Sequence, residues 1–294
     1  MGSKEQTAAG MTEPACDFFH RFANRPLIIA HRGYRACYPE NTPCAFAHSL
    51  GRSDMVELDV QLSADGVAVV FHDDHLARTS NAAALAPELG LSSLALRDWS
   101  FAQLRMLDVG SWFLAADPFA TIRQGLVDGK LLRDLMPQQL PTLAEALAWA
   151  VGNQMPLNVE LKDMGQTRLN DALVAQVVAD VRAAGASAQV IVSSFNHHAF
   201  RACRQTAPEI AVAALQEDGH PPNLTSYLRD LGACAYHPAD DVTDQALVTT
   251  LRAAGFAVNV FTVNDPGRQR QLFAFGATGV FTDFPELCSQ KRNC

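Results

Sequence analysis

The 294-residue sequence contains no window approaching the roughly 18 consecutive apolar residues of a membrane span. Its first 26 residues also lack the basic, then apolar, then small-residue succession of a secretion signal. A cytoplasmic protein with no stable membrane insertion is the expectation. Positive charge is in short supply. Against 31 Asp and Glu stand 23 Lys and Arg, a net charge of −8 that disfavours nucleic acid and anionic membranes as partners. A small anionic substrate therefore needs a local cluster of positive groups. The seven cysteines form no CxxC pair and are odd in number, which suits reduced thiols and argues against a disulfide framework or structural zinc. Internal repeats and low-complexity tracts are lacking. Gln6 stands where a myristoylation pattern requires Ser or Thr, so the opening MGSKEQTAAG reads as part of a disordered tail over residues 1–25.

What is present is material for a large core. With 48% hydrophobic and 18% charged residues, one α/β domain over residues 26–288 is expected, with a C-terminal tail at 289–294. Nine β-rich runs alternate with helical stretches: PLIIAH (26–31), MVELDVQL (55–62), VAVVFH (67–72), LNVELK (157–162), VIVSSF (190–195), IAVAAL (210–215), ACAYH (233–237), FAVNVFTV (256–263) and TGVFT (278–282). Only Ser63 to Gly66 separate the second run from the third, too few residues for a parallel crossover, so these two form an antiparallel hairpin. Eight parallel strands remain, the number that closes a (β/α)₈ TIM barrel with a hairpin excursion after its second strand.

Helix punctuation agrees. Thr42 and Pro43 read as N-cap and first turn, Asp265 and Pro266 repeat the device ahead of Gly276, and Thr142 with Glu145 forms a capping box. The stretch from about 80 to 140 breaks the βα rhythm and reads as an inserted subdomain. Within it, the Gly and Pro of the 117–139 segment predict a mobile loop over the barrel mouth.

In a parallel barrel, functional groups gather at the C-terminal ends of the strands. The run LIIA ends there in His31 and Arg32. The second run brings Glu57 and Asp59, an i, i+2 pair on one face of the pleat that can grip one cation. The hairpin returns to His72 and Asp73, and NVELK supplies Glu160 and Lys162, again at i, i+2. Oxygen donors in this number suit Mg²⁺ or Ca²⁺ better than zinc. Arg32 and Lys162 offer donors to a phosphate, and His31 and His72 are placed to act as general base and general acid on either side of phosphorus. Each piece alone is an ordinary strand end. Their coincidence carries weight, because several buried charges without a metal or ligand are costly. His237 is a further candidate for the mouth, His75 a loop stabiliser, His197 and His198 an exposed first helical turn, and Cys37 a bystander.

The ordered set AHRGYRACYPENTPCAF, ELDVQLSADGVAVVFHDDHLARTS, NVELK, SSF, FTVND and FTDFP resembles the glycerophosphodiester phosphodiesterases over about residues 27–285, with the wording of the cytosolic bacterial type. The resemblance implies a (β/α)₈ barrel with an insertion after the hairpin. It implies His31 and His72 as the acid/base pair, Glu57, Asp59 and Glu160 as ligands of Mg²⁺ or Ca²⁺, and Arg32 and Lys162 as phosphate contacts. Glu40 and Asn41 become residues that shape the site. Phe261 stands where many members have Trp and keeps an aromatic wall around glycerol. The reaction implied is hydrolysis of a glycerophosphodiester to sn-glycerol 3-phosphate and an alcohol, with the substrate's own hydroxyl or a water as nucleophile.

Two other readings fit the same barrel. A phospholipase D-type hydrolase of lysophospholipid or sphingomyelin needs an apolar entry, for which Phe113, Leu114 and Phe119 of the insertion are candidates. A catalytically inactive phosphodiester-binding protein is the other, although every matched position is filled.

Overall fold

Every residue of the run Leu27–Ala30 is buried, as a strand covered on both faces requires. It is β1 of a computed structural model that describes residues 17–22 and 25–286. The other strands are β2 (Met55–Leu62), β3 (Ala68–Val70), β4 (Leu157–Leu161), β5 (Val190–Ser194), β6 (Ala211–Gln216), β7 (Ala235–Pro238), β8 (Ala257–Val260) and β9 (Gly279–Thr282). All nine expected runs are strands. β1 pairs in parallel with both β2 and β9, which closes β1, β2 and β4 to β9 into an eight-stranded parallel barrel with helices between the strands. β3 runs antiparallel to β2, with Val60 opposite Val70 and Leu62 opposite Ala68.

The helices begin where their caps stand. The Thr42 hydroxyl accepts the N–H of Ala45 ahead of Pro43, Asp265 accepts that of Arg268 ahead of Pro266, and Thr142 and Glu145 close a reciprocal box. Their apolar stripes cover the outside of the barrel; Leu173, Val174, Val177 and Val181 of the helix Thr167–Ala183 are examples. No helix among the described residues is long and apolar enough to cross a membrane.

Strand alternation turns Leu27, Ile29, Met55, Ile191, Ala213, Ala235, Ala257 and Phe281 into the barrel interior. The alanines leave space at the floor. Phe18, Phe19 and Phe22 fill it, packing with those residues in one buried cluster. Here the structure corrects the expected tail: residues 17–22 are ordered against the barrel, with a helical turn at Asp17–His20 and with Phe18, Phe19 and Phe22 in the core, because three aromatic rings cover apolar surface that water would otherwise meet. Residues 1–16, 23–24 and the expected C-terminal tail lie outside the described residues.

Within the insertion, the 117–139 segment departs from expectation. Phe71, Leu76, Leu96, Trp99, Leu104, Leu107, Val109 and Leu140 bury one another in a separate core against Val69 of β3. The 117–139 segment lies beside the 34–38 loop. Thr121 Oγ1 donates to Ala36 O at 2.7 Å, and the Phe119 ring stands edge-on to Phe284 with centroids 5.5 Å apart. No residue between 80 and 140 lines the cavity at the barrel mouth. Gly and Pro fix where a chain turns, and the apolar partners available decide which way the turn is laid down.

Candidate active site

The chain leaves β1 through a turn that aims its groups back at the barrel. Arg32 and Gly33 both take left-handed conformations, with φ of 55° and 80°. At Gly33 an added Cβ would lie 2.8 Å from the Ala45 backbone, so glycine is required twice over. Arg32 has a side chain and takes this conformation at a cost of about 1–2 kcal/mol. Bonds on both sides hold it. Its backbone N–H donates to Glu57 Oε2 at 2.7 Å, and its guanidinium Nη1 donates to Glu40 Oε1 at 2.8 Å. Asn41, a residue type that tolerates a positive φ, returns the chain by donating its own N–H to Arg32 O and its side-chain amide to Asp59 Oδ2 at 2.8 Å.

Parallel register then assembles the carboxylates. Glu57 and Asp59 project inward from β2, and Asp59 is the register partner of Glu160 on β4. One oxygen from each of Glu57, Asp59 and Glu160 lies within 4.8 Å of the others. Lys162 Nζ reaches Glu160 Oε1 at 2.6 Å and Asp59 Oδ1 at 3.6 Å. Burial, with Asp59 and Glu160 beside it, pushes the Glu57 carboxyl well above its ordinary range, and burial with Asp59 nearby raises Glu160. At Asp59 burial works upward but Arg32 and Lys162 outweigh it and hold the group at about 2. Glu57 Oε1 and Asp59 Oδ1 are buried without a hydrogen-bond partner. Two orphaned carboxylate oxygens beside a third carboxylate are a donor set fitted to a hard divalent cation.

The two histidines flank this cluster in like fashion. His31 Nδ1 donates to Asp283 Oδ1 at 2.8 Å, and His72 Nδ1 donates to Asp73 Oδ1 at 2.6 Å. In both, Nε2 is left for the cavity. Asp283 is fixed in turn by Asn264 Nδ2 at 2.8 Å, and burial of its carboxyl is outweighed by His31 and Arg35, which hold it at about 2. Burial first, then the Arg32 charge, lower His31 below the ordinary histidine value against the pull of Asp283. The loop carrying His72 is held by Gln61 Nε2, which donates to the carbonyls of Phe71, His72 and Asp73 at 3.0, 3.1 and 2.8 Å.

A cavity of about 660 Å³ opens over these groups, lined by His31, Arg32, Glu57, His72, Glu160, Lys162 and Phe261 among the residues expected from sequence. Asp59, Glu40 and Asn41 lie behind the lining and bond to it. Phe195 and Phe281 extend the wall with Phe261, the Phe195 and Phe261 rings meeting edge to face at 5.7 Å. His237 does not reach the mouth. It is fully buried inside the barrel, where Asn259 Nδ2 donates to its Nε2 at 2.9 Å. His197 is not an exposed helical residue either, since it bonds Tyr227 Oη and Leu215 O at 2.7 and 2.8 Å. Sequence reasoning left out Gln61, Asp283, Asn264, Arg35 and Arg78. Asp283 and Asn264 stand inside FTDFP and FTVND, so the motifs contained them without stating what they touch.

The family model described as the glycerophosphoryl diester phosphodiesterase family matches residues 31–287. The chain belongs to this family. Among similar proteins, a glycerophosphodiester phosphodiesterase of Bacillus altitudinis is 31% identical over 271 residues, covering 90% of this chain and 97% of the relative. A glycerophosphodiester phosphodiesterase of Bacillus subtilis is 28% identical over 271 residues, covering 90% of this chain and 85% of the relative. A phosphodiesterase of Oleispira antarctica, solved in complex with the product sn-glycerol-3-phosphate, superposes with a TM-score of 0.76 at 28% identity, covering 93% of this chain and 99% of the other. Family membership agrees with the barrel.

Proposed function

We propose that the chain hydrolyses glycerophosphodiesters to sn-glycerol 3-phosphate and an alcohol, with His31 and His72 as the acid/base pair and with Mg²⁺ or Ca²⁺ held by Glu57, Asp59 and Glu160. Family membership and the product named in the Oleispira antarctica complex support the substrate class. The observation that carries the mechanism is the pair of histidine–aspartate contacts, each fixing Nδ1 and leaving Nε2 at the cavity. His31, lowered by burial and Arg32, is neutral near pH 7 and suited to accept a proton from the nucleophile, whether water or the substrate's own hydroxyl, whose cyclic phosphate water then opens. His72, braced by Asp73, donates one to the departing alcohol. Arg32 and Lys162 line the cavity beside the carboxylates and contact the phosphodiester oxygens, while Phe261 and Phe195 form the apolar wall. When bound, the divalent cation supplies charge neutralisation at the phosphoryl oxygens.

The lysophospholipid reading loses its main support in the packing of the insertion. Phe113 is fully buried and Phe119 packs on Phe284, so neither supplies an acyl entry at the mouth. Turnover of glycerophosphocholine and of lysophosphatidylcholine, each with and without a chelator, tests the assignment. Chelator-sensitive release of choline from the first, with little from the second, is expected. The reverse preference would overturn it.

A further inference from the structure

Three arginine side chains near the mouth converge on one buried carboxylate. Glu40 Oε1 accepts from Arg32 Nη1 at 2.8 Å and from Arg78 Nη2 at 2.7 Å, and Glu40 Oε2 accepts from Arg35 Nε at 2.9 Å and Arg78 Nη1 at 3.1 Å. Two of these arginines also hold the aspartates that orient the histidines. Arg78 Nε donates to Asp73 Oδ2 at 2.6 Å and its Nη2 to Asp73 Oδ1 at 2.8 Å, while Arg35 Nη1 donates to Asp283 Oδ1 at 3.2 Å. An unbroken line of contacts therefore runs from His31 through Asp283, Arg35, Glu40, Arg78 and Asp73 to His72.

We propose that Arg35, Glu40 and Arg78 are positioning residues that fix the orientation of His31 and His72 relative to each other, with Arg78 serving the His72 side. This rests on the acid/base reading of the two histidines. The physical need is clearest at His72. It lies beyond the end of β3, its side chain 29% exposed, and its ring is held at Nδ1 by Asp73 alone. Asp73 in turn would be free to rotate without a partner that reaches two anchors. Arginine can do this because its planar fork presents five donors, enough to engage Asp73 and Glu40 together; a lysine ammonium can serve one well. Arg78 is 42% exposed, and without it Glu40 keeps its contacts to Arg32 and Arg35, so the consequence of losing it is expected in kcat rather than in folding.

The test compares Arg78→Met, Arg78→Lys and Arg35→Met on glycerophosphocholine and on the p-nitrophenyl ester of glycerol phosphate, whose leaving group needs no proton. Arg78→Met is expected to lose about 10-fold or more in kcat on the choline ester but less than about 3-fold on the nitrophenyl ester, with KM unchanged, because only assistance to the leaving group is impaired. Arg78→Lys recovers part of the loss. Arg35→Met, acting on the His31 side, lowers both substrates alike. Side-chain ¹⁵N spectra provide a readout independent of turnover: His72 is a single Nδ1–H species at high pH in the wild type and a tautomer mixture in Arg78→Met. An equal loss on both esters, or an unchanged His72 tautomer, would overturn the positioning role while leaving the acid/base pair standing. Failure of the pair itself shows separately, as near wild-type activity of His72→Ala on glycerophosphocholine.

Discussion

Asp59 on β2 and Glu160 on β4 are register partners, and with Glu57 they bring three carboxylates to one point of the barrel mouth. Without a cation these groups repel one another, and Glu57 Oε1 and Asp59 Oδ1 are left without a hydrogen bond. Chelation is therefore expected to abolish turnover and to lower the melting temperature, with Mg²⁺ or Ca²⁺ restoring both. In chelator, Glu57→Gln should melt at or above the wild type because one like charge is gone, while the stabilisation by added metal falls. Full activity after exhaustive metal removal would refute the ligand assignment.

Asp283→Asn removes the acceptor that holds His31 Nδ1 and keeps the side chain's volume. If Asp283 sets the His31 tautomer, kcat should fall by about 10² or more, the range general base catalysis supplies. Metal affinity should be unchanged. A loss confined to KM would show that Asp283 contacts substrate instead.

Much of this was legible from sequence because strand periodicity and strand ends are local. Runs such as MVELDVQL mark the strands and put Glu57 and Asp59 on one face of the pleat. The Asp283–His31 contact joins residues 252 positions apart, and the Arg78–Glu40 contact joins residues 38 apart. No period encodes such pairs. Phe18, Phe19 and Phe22 looked like part of a tail because they follow no strand or helix pattern; only the alanine-lined floor explains their burial. The insertion was recognisable as an insertion, but its place beside the 34–38 loop depends on Thr121 and Phe119 finding partners there.

That placement makes a prediction of its own. Trimming residues 119–136 to a short linker should lower the melting temperature, since Thr121 and Phe119 lose their contacts. Relative kcat/KM across choline, ethanolamine and glycerol headgroups should stay the same, because none of these residues lines the cavity. A changed order of preference would show that the segment reaches the substrate.

His237 makes stability depend on pH. Burial lowers it from the ordinary 6.5 to about 3, so the folded protein keeps it neutral where the unfolded chain takes up a proton. Between pH 6.5 and 3 the unfolded state binds the extra proton. Its share of stability is therefore full above about 6.5 and declines as pH falls, by up to about 1.4 kcal/mol per pH unit. Denaturant unfolding of His237→Gln between pH 6.5 and 4.5 should show a shallower decline than the wild type. Parallel slopes would contradict this origin.

The acid/base pair is tested most directly by leaving-group rescue of two alanine variants. His31→Ala and His72→Ala should each lose about 10² to 10⁴ in kcat on glycerophosphocholine while remaining folded and binding metal. The double variant should lose far less than the product of the two, as residues acting together do. On the p-nitrophenyl ester, His72→Ala should recover most of its rate and His31→Ala little. Equal recovery of both would contradict the division of labour, and near wild-type turnover of glycerophosphocholine by either variant would contradict the pair.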